Sequence, residues 1–136
     1  MKNLLLLAGL GLAACASAAT PDSSGVLGQW SGQLEGLPGI RLSVQQEGGK
    51  IWGAVMFFLI HRDPGAAPTS TPTFPEPMLD PKFDGKVLEF AVSHRYAHPP
   101  RTLNDPPVRF RLEVTDSGRA KLSSAEVPPV ELVRER

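Results

Sequence analysis

The segment SHRYAHPPRTLNDPP, residues 93–107, combines two of the three histidines of this 136-residue chain with two arginines and four of its fourteen prolines. Imidazole, guanidinium and carboxylate groups in one segment are able to bind a metal ion, to catalyse hydrolysis or to recognise an anion. A stiff surface loop with solvated charges is the fourth alternative.

A metal site is poorly supported by the spacing. His94 and His98 are four residues apart, which would suit a metal on a helix, but the two prolines after His98 disfavour helical geometry there. A zinc site also needs a third protein ligand, for which His61 and Asp105 are the candidates. We therefore expect neither a metal nor a cofactor.

Hydrolysis is also poorly supported. It would use Ser93 or Thr102 as nucleophile, a histidine as base and Asp105 to orient that base. No nucleophile-elbow pattern surrounds these residues. We expect no catalytic residue, and whether the chain is an enzyme stays uncertain.

Anion recognition is the stronger functional alternative. Arg95, Arg101 and His98 would converge on a carboxylate or phosphate, for which arginine is a two-pronged donor. The simplest alternative is that the prolines stiffen the loop while Asn104 and Asp105 cap turns. Loops on rigid β scaffolds often carry function, so the segment stays the leading candidate site.

The amino-terminal sequence predicts export. An apolar and small-residue run from Leu4 to Ala14 follows a single lysine and is too short to span a bilayer, which takes about 20 residues. It is typical of a secretory signal peptide. The alternative processing site, after Ala18, would release a secreted or periplasmic protein.

The end of this run, Leu12-Ala13-Ala14-Cys15, resembles a bacterial lipobox. The resemblance implies a signal peptide over 1–14, a lipidated Cys15 that attaches the chain to a membrane, and a tether over 15–25. By the same resemblance, Ala16 favours the outer membrane, with the domain facing the periplasm.

Composition excludes several classes of function. Cys15 is the only cysteine, so the domain has no disulfide and no cysteine-ligated metal. Lysine and arginine number fourteen, as do aspartate and glutamate, so no charge excess drives nucleic-acid binding. One domain, 26–136, is expected.

Period-2 alternation of apolar and polar residues dominates that domain. In VRFRLEVT the residues Val108, Phe110, Leu112 and Val114 share one face, which is typical of an antiparallel strand. Gly-Gly and Asp-Gly pairs between such segments favour tight hairpins. Eight strands are predicted, at 27–35, 39–46, 51–61, 73–79, 86–94, 108–115, 119–125 and 130–135.

Joined by short turns, these strands predict an all-β, antiparallel, up-and-down meander. Eight such strands form a closed or nearly closed barrel, and a β-sandwich is the alternative. The strand at 73–79 is the weakest because prolines confine it to an edge.

The strand at 51–61 is apolar on both faces. Trp52, Met56 and Phe58 occupy the outer face. Either segment 62–82 folds back over them, or they contact a protein partner or a second copy of the chain.

Two short motifs resemble the calycin group of small barrels, which includes lipocalins and avidins. They are Gly28-Gln29-Trp30 on the first strand and Arg134 on the last. In calycins such a Gly-x-Trp packs near a final-strand arginine and closes one end of the barrel. The resemblance implies a calycin-like barrel in which Gly28, Trp30 and Arg134 are structural.

The meander also predicts where the long loops lie. Strands 51–61 and 86–94 run in the same direction, so both histidine-bearing ends lie at one mouth. The residues expected to ring that mouth are His61, Arg62, His94, Arg95, His98 and Arg101. We expect a small amphipathic or anionic ligand there, and the alternative is a non-catalytic protein-interaction module.

Overall fold

The computed structural model describes residues 22–95, 100–102 and 104–136. The predicted signal peptide, Cys15, most of the tether and His98 lie outside the described residues. No helix able to cross a bilayer occurs in the described part of the chain.

The described residues form an all-β protein, as predicted. The strands are β1 (Gly28–Leu34), β2 (Leu37–Glu47), β3 (Lys50–His61), β4 (Thr69–Pro72), β5 (Glu76–Pro77), β6 (Leu79–Phe83), β7 (Val87–Val92), β8 (Val108–Asp116), β9 (Arg119–Ser124) and β10 (Val130–Arg134). Seven of the eight predicted strands correspond to one strand each, with ends shifted by at most two residues.

The strands form one strongly curled antiparallel sheet, a half-barrel, in the order β4-β3-β2-β1-β10-β9-β8-β7-β6. Neighbouring strands in this order are consecutive in the chain except where β10 pairs with β1, so the first and last long strands of the meander meet. The prediction of an antiparallel meander is therefore confirmed.

Segment 76–83 joins the two ends of this curled sheet. β5 pairs with Ala54 and Val55 of β3, whereas β6 begins two residues later and pairs with β7. The N–H of Met78, between them, donates to the carbonyl of Gly53 at 2.9 Å. The half-barrel is thus linked across its open side by one short, proline-containing segment.

This segment is where the predicted strands differ most from the observed ones. Instead of a single strand at 73–79, three short strands lie between residues 69 and 83. Proline lacks the N–H that a ladder needs, so Pro72, Pro75, Pro77 and Pro81 divide the segment into short pairings.

Tight turns connect the strands at the lower end, which we define as the end holding segment 22–27 and the β2–β3, β6–β7 and β8–β9 turns. Gly48 and Gly49 have φ of 57° and 77°, the left-handed values of a two-residue hairpin turn. Asp84 accepts hydrogen bonds from the N–H groups of Lys86 and Val87 at 2.9 and 2.8 Å. The predicted turn signals thus act as hairpin turns.

The concave side of the sheet is filled with apolar side chains. The largest of those that are fully buried are Val26, Trp30, Leu42, Val44, Val55, Leu88, Phe90, Val92, Leu112 and Leu132. Burying each large apolar side chain contributes roughly 1.5–3 kcal/mol, so this core is the main source of stability.

Candidate functional site

The ends of β3 and β7 lie at the same end of the half-barrel. Both strands run in the same direction in the antiparallel order, so His61 and His94 leave the sheet on one side. We call this side, with the β1–β2 turn and the β9–β10 connection, the upper end. It is the end at which the sequence predicts a ligand site.

His94 lies over the aromatic part of the core at the upper end. Its ring centroid is 4.2 Å from that of Phe57, and it meets Phe110 edge-on at 6.2 Å. The backbone of His94 turns sharply out of β7 with a φ of 53°. This turn directs the half-buried imidazole against the aromatic rings.

The environment of His94 favours its neutral form. Burial lowers its pKa below the ordinary value of 6.5, and the charge of Arg101 acts in the same direction. The carboxylates of Glu76 and Glu126 oppose this shift. His94 is therefore an uncharged hydrogen-bonding group at neutral pH.

Glu76 is a buried carboxylate that sequence analysis missed. It is 5% exposed, on β5 opposite Val55. Its Oε1 accepts a hydrogen bond from the backbone N–H of Arg95 at 2.9 Å, which ties the start of loop 93–107 to β5. The only sequence signal was its place between Pro75 and Pro77, in the weakest predicted strand.

Arg101 lies near His94 and is held by its own loop and by the β9–β10 connection. Its Nη1 lies 3.3 Å from Glu126 Oε1, and its Nη2 donates to the carbonyl of Pro106. The side chain is only 18% exposed. The guanidinium is thus fixed in place and its charge is partly neutralised.

Three buried polar atoms at the upper end lack a hydrogen-bond partner among the described residues. They are Glu76 Oε2, His94 Nδ1 and Arg101 Nε. Buried polar atoms are nearly always paired, so three unpaired atoms in one region mark a place where a ligand or ordered water would be stabilised. Together they offer an acceptor, a donor and a group that can serve as either.

The other residues predicted to ring the mouth, apart from His98, interact with groups other than His94 and Arg101. His61 is exposed and pairs with the Thr71 hydroxyl at 3.1 Å, and Arg62 forms an ion pair with Glu35 in the β1–β2 turn. The backbone N–H of Arg95 donates to Glu76, and the Arg95 side chain is exposed. The structure therefore brings His94 and Arg101 together and gives His61 and Arg62 other partners.

Asp105, the acid that a hydrolase would use, is hydrogen-bonded within its own loop. Asp105 accepts a hydrogen bond from the Thr102 N–H at 2.6 Å, and that bond lowers the pKa of the carboxyl. No cluster of three or more metal-ligating side chains occurs in the described ranges. Asp105 thus caps a turn.

The lower end has the contact that the calycin resemblance implies. Trp30 and Arg134 are paired across β1 and β10, and the guanidinium lies 4.8 Å from the centre of the indole. Trp30 Nε1 donates to the carbonyl of Val26 at 2.9 Å, and Arg134 donates to Gly25. Gly28 has a φ of 122°, with the Arg134 side chain beside it. Segment 22–27 therefore closes this end.

The outer face of β3 is only partly covered. β4 and β5, within segment 62–82, pair along the edge of β3 and extend the sheet sideways. Trp52 is 48% exposed, and Met56 and Phe58 are half-buried.

Comparison with protein-family models, with curated proteins and with solved structures finds no match to this chain.

Proposed function

We propose that this protein is a non-catalytic, calycin-like binding module that holds a small amphipathic ligand at its upper end. The observation that carries the proposal is the buried carboxylate of Glu76 beside the neutral His94, on a floor of aromatic rings. The filled core leaves the mouth, rather than the barrel interior, as the place for a ligand.

The chemistry of the mouth suits a ligand with two kinds of surface. Phe57, which is partly exposed and packs on the buried Phe110, offers an apolar surface on which a small hydrophobic group would be favourable. Glu76 and Arg101 lie beside that floor with one unpaired acceptor and one unpaired donor atom. A molecule with an apolar body and a polar group such as a carboxylate or amide would satisfy both.

Native mass spectrometry of the protein purified from its own host tests this proposal. We expect a small molecule to be retained by the wild type and by Lys121→Gln, whose site on β9 lies outside the mouth. Glu76→Gln and His94→Leu should retain less of it. The proposal is contradicted if no preparation holds a small molecule whose retention falls in Glu76→Gln and His94→Leu.

The same experiment addresses the cellular location. We propose a bacterial outer-membrane lipoprotein facing the periplasm, because of the lipobox-like sequence that ends at Cys15. The mass of the mature protein should then correspond to residues 16–136 plus a lipid-modified cysteine. A mass that begins at Ala19 would indicate ordinary cleavage and a secreted or periplasmic protein.

A second function is favoured by the outer face of β3. Because Trp52 is 48% exposed, a protein partner or a second copy of the chain could pack on Trp52, Met56 and Phe58. Light scattering of the wild type and of Trp52→Glu distinguishes the cases. A monomer in both would exclude self-association and leave only a heterologous partner.

A further inference from the structure

A hollow of about 460 Å³ lies at the lower end, between segment 22–27, the β2–β3 turn and β6. The residues that matter for its chemistry are Ser23, Gln46, Lys50, Asp80, Lys82 and Phe83. It lies at the opposite end from His94, so it is separate from the mouth described above.

Two structural features build this hollow. Ser23 is 5% exposed and its hydroxyl donates to Gln46, which fixes the amino-terminal segment against β2. On the other wall, the pairing of β6 with β7 shifts register between Leu79 and Lys82, and Asp80 has a φ of 47°. Left-handed backbone in a non-glycine residue is sparsely populated and is found often at functional sites.

The charges that line the hollow have no ion pair among the described residues. Lys50 and Lys82 are exposed ammonium groups and Asp80 is an exposed carboxylate, whereas Lys86 on the neighbouring turn pairs with Glu113 at 3.4 Å. Two ammonium groups suit a phosphate, and one carboxylate suits an ammonium. Together they complement a zwitterion.

The position of the hollow relates it to the membrane. Asp22 is seven residues after Cys15, so a lipid on that cysteine would lie within about 25 Å of the lower end. Trp52 lies two residues beyond Lys50 on the same strand and is 48% exposed. Tryptophan beside lysine is typical of protein surfaces at the membrane–water interface.

From these observations we propose that the lower hollow binds a phosphoethanolamine group, with the headgroup of phosphatidylethanolamine as its source. Lys50 and Lys82 bind the phosphate, and Asp80 binds the primary ammonium. Trp52 lies in the headgroup layer beside them. The lipid source depends on the proposed envelope location, whereas the binding chemistry does not.

Nuclear magnetic resonance titration of the full mature protein tests the proposal. The probe is short-chain phosphatidylethanolamine below its micelle concentration, with short-chain phosphatidylcholine and soluble phosphoethanolamine as comparisons. We expect shifts at Lys50, Asp80 and Lys82, and tighter binding of phosphatidylethanolamine than of either comparison. If soluble phosphoethanolamine binds as tightly as the lipid, the proposal that a lipid is the source is overturned. The proposal that the site recognises a phosphoethanolamine group is then kept.

Variants separate the roles of the charges. Lys50→Gln and Lys82→Gln should each weaken binding about fivefold, the effect of one cation near a phosphate-bearing surface. Asp80→Asn, which tolerates the same backbone, should abolish the preference for phosphatidylethanolamine over phosphatidylcholine. Lys121→Gln, on β9, which two intervening strands separate from β6 and from β2, is the matched control and should bind as the wild type does.

Shifts that lie elsewhere, or affinities unchanged in both lysine variants, would overturn the proposal. Because the probe signals come from the lower end, this outcome leaves the proposed ligand site at His94 unaffected. Conversely, the absence of a ligand at the upper end would not alter the titration at Lys50 and Lys82.

Discussion

The two ends of the half-barrel differ in how fully their buried polar groups are hydrogen-bonded. At the lower end, the Trp30 indole N–H and a terminal nitrogen of Arg134 both donate to backbone carbonyls of segment 22–27. At the upper end, Glu76, His94 and Arg101 each keep a buried atom without a partner in the described part of the chain. The lower core is closed by its own chain, whereas the upper end keeps buried polar atoms that the described residues leave unpaired.

One buried polar atom at the lower end is an exception to this difference. Arg134 Nε at the lower end also lacks a partner among the described residues. Its guanidinium, however, lies over the indole of Trp30 at 4.8 Å, where the ring face attracts the cation. The comparison therefore predicts that substitutions of Trp30 and Arg134 in the closed lower core act on stability, and that those of Glu76 and His94 at the upper end act on both stability and ligand binding.

The largest effect is expected for Trp30→Ala at the lower end. Trp30 is fully buried, so its removal should lower the free energy of unfolding by about 3–5 kcal/mol, measured by urea denaturation. Trp52→Ala is the control, since its side chain is 48% exposed, and should lower the free energy of unfolding clearly less than Trp30→Ala does. Similar losses in both variants would contradict the assignment of the core.

At the upper end, Glu76→Ala should lower the free energy of unfolding by about 1–3 kcal/mol, because the Arg95 N–H loses its acceptor. Glu76→Gln keeps an acceptor oxygen and should cost less. Hydrogen exchange at the Arg95 amide provides a local measurement, with faster exchange expected in Glu76→Ala. Unchanged exchange in that variant would mean that Glu76 does not hold the loop.

Arg134→Met tests the cation at the lower end while keeping most of the side-chain stem. Loss of the contact with Trp30 should lower the free energy of unfolding by about 0.5–2 kcal/mol. Arg109→Met, an exposed arginine on β8, is the control. If the two variants unfold at the same urea concentration, the contact between Arg134 and Trp30 contributes nothing measurable.

The smallest effect is a change in pH dependence. Because burial lowers the pKa of His94 in the folded state, the unfolded chain binds more protons just below pH 6.5. Stability from neutral His94 is thus complete above pH 6.5 and is lost as the pH falls toward the folded pKa. His94→Phe should flatten this slope in urea denaturation series between pH 7.5 and 5.

Asp84→Asn provides a control for the pH series. The hydrogen bonds from Val87 and Lys86 lower the pKa of Asp84 below 3.8, so its contribution is lost only at lower pH. This variant should keep the slope that His94→Phe removes. A wild-type slope that survives in His94→Phe would show that His94 is not the group responsible.

Much of the fold was predictable because its information is local. In VRFRLEVT, alternation places Val108, Phe110 and Leu112 on one face, and the structure buries all three. The same holds for Ile40, Leu42 and Val44. Glycine-containing turns then fix which strands are neighbours, so the meander follows from sequence alone.

The candidate site was predictable only in part. The meander placed His61 and His94 at one end because it fixed the strand directions. It did not give their partners, since the pairs Arg62–Glu35 and Arg101–Glu126 join residues that are 27 and 25 positions apart. The burial of Glu76 was not predicted, because Pro75 and Pro77 on either side of it are typical of a loop or an edge strand.

The sequence by itself determined the alternating strands, the hairpin turns and the residues that close the lower end, because each of these depends on neighbouring residues or on one short motif. Only the tertiary structure decided that segment 76–83 joins the two sides of the sheet and that Glu76 becomes buried next to His94. Those features arise when chain segments far apart in sequence share main-chain hydrogen bonds and exclude water together, and no local pattern encodes that exclusion.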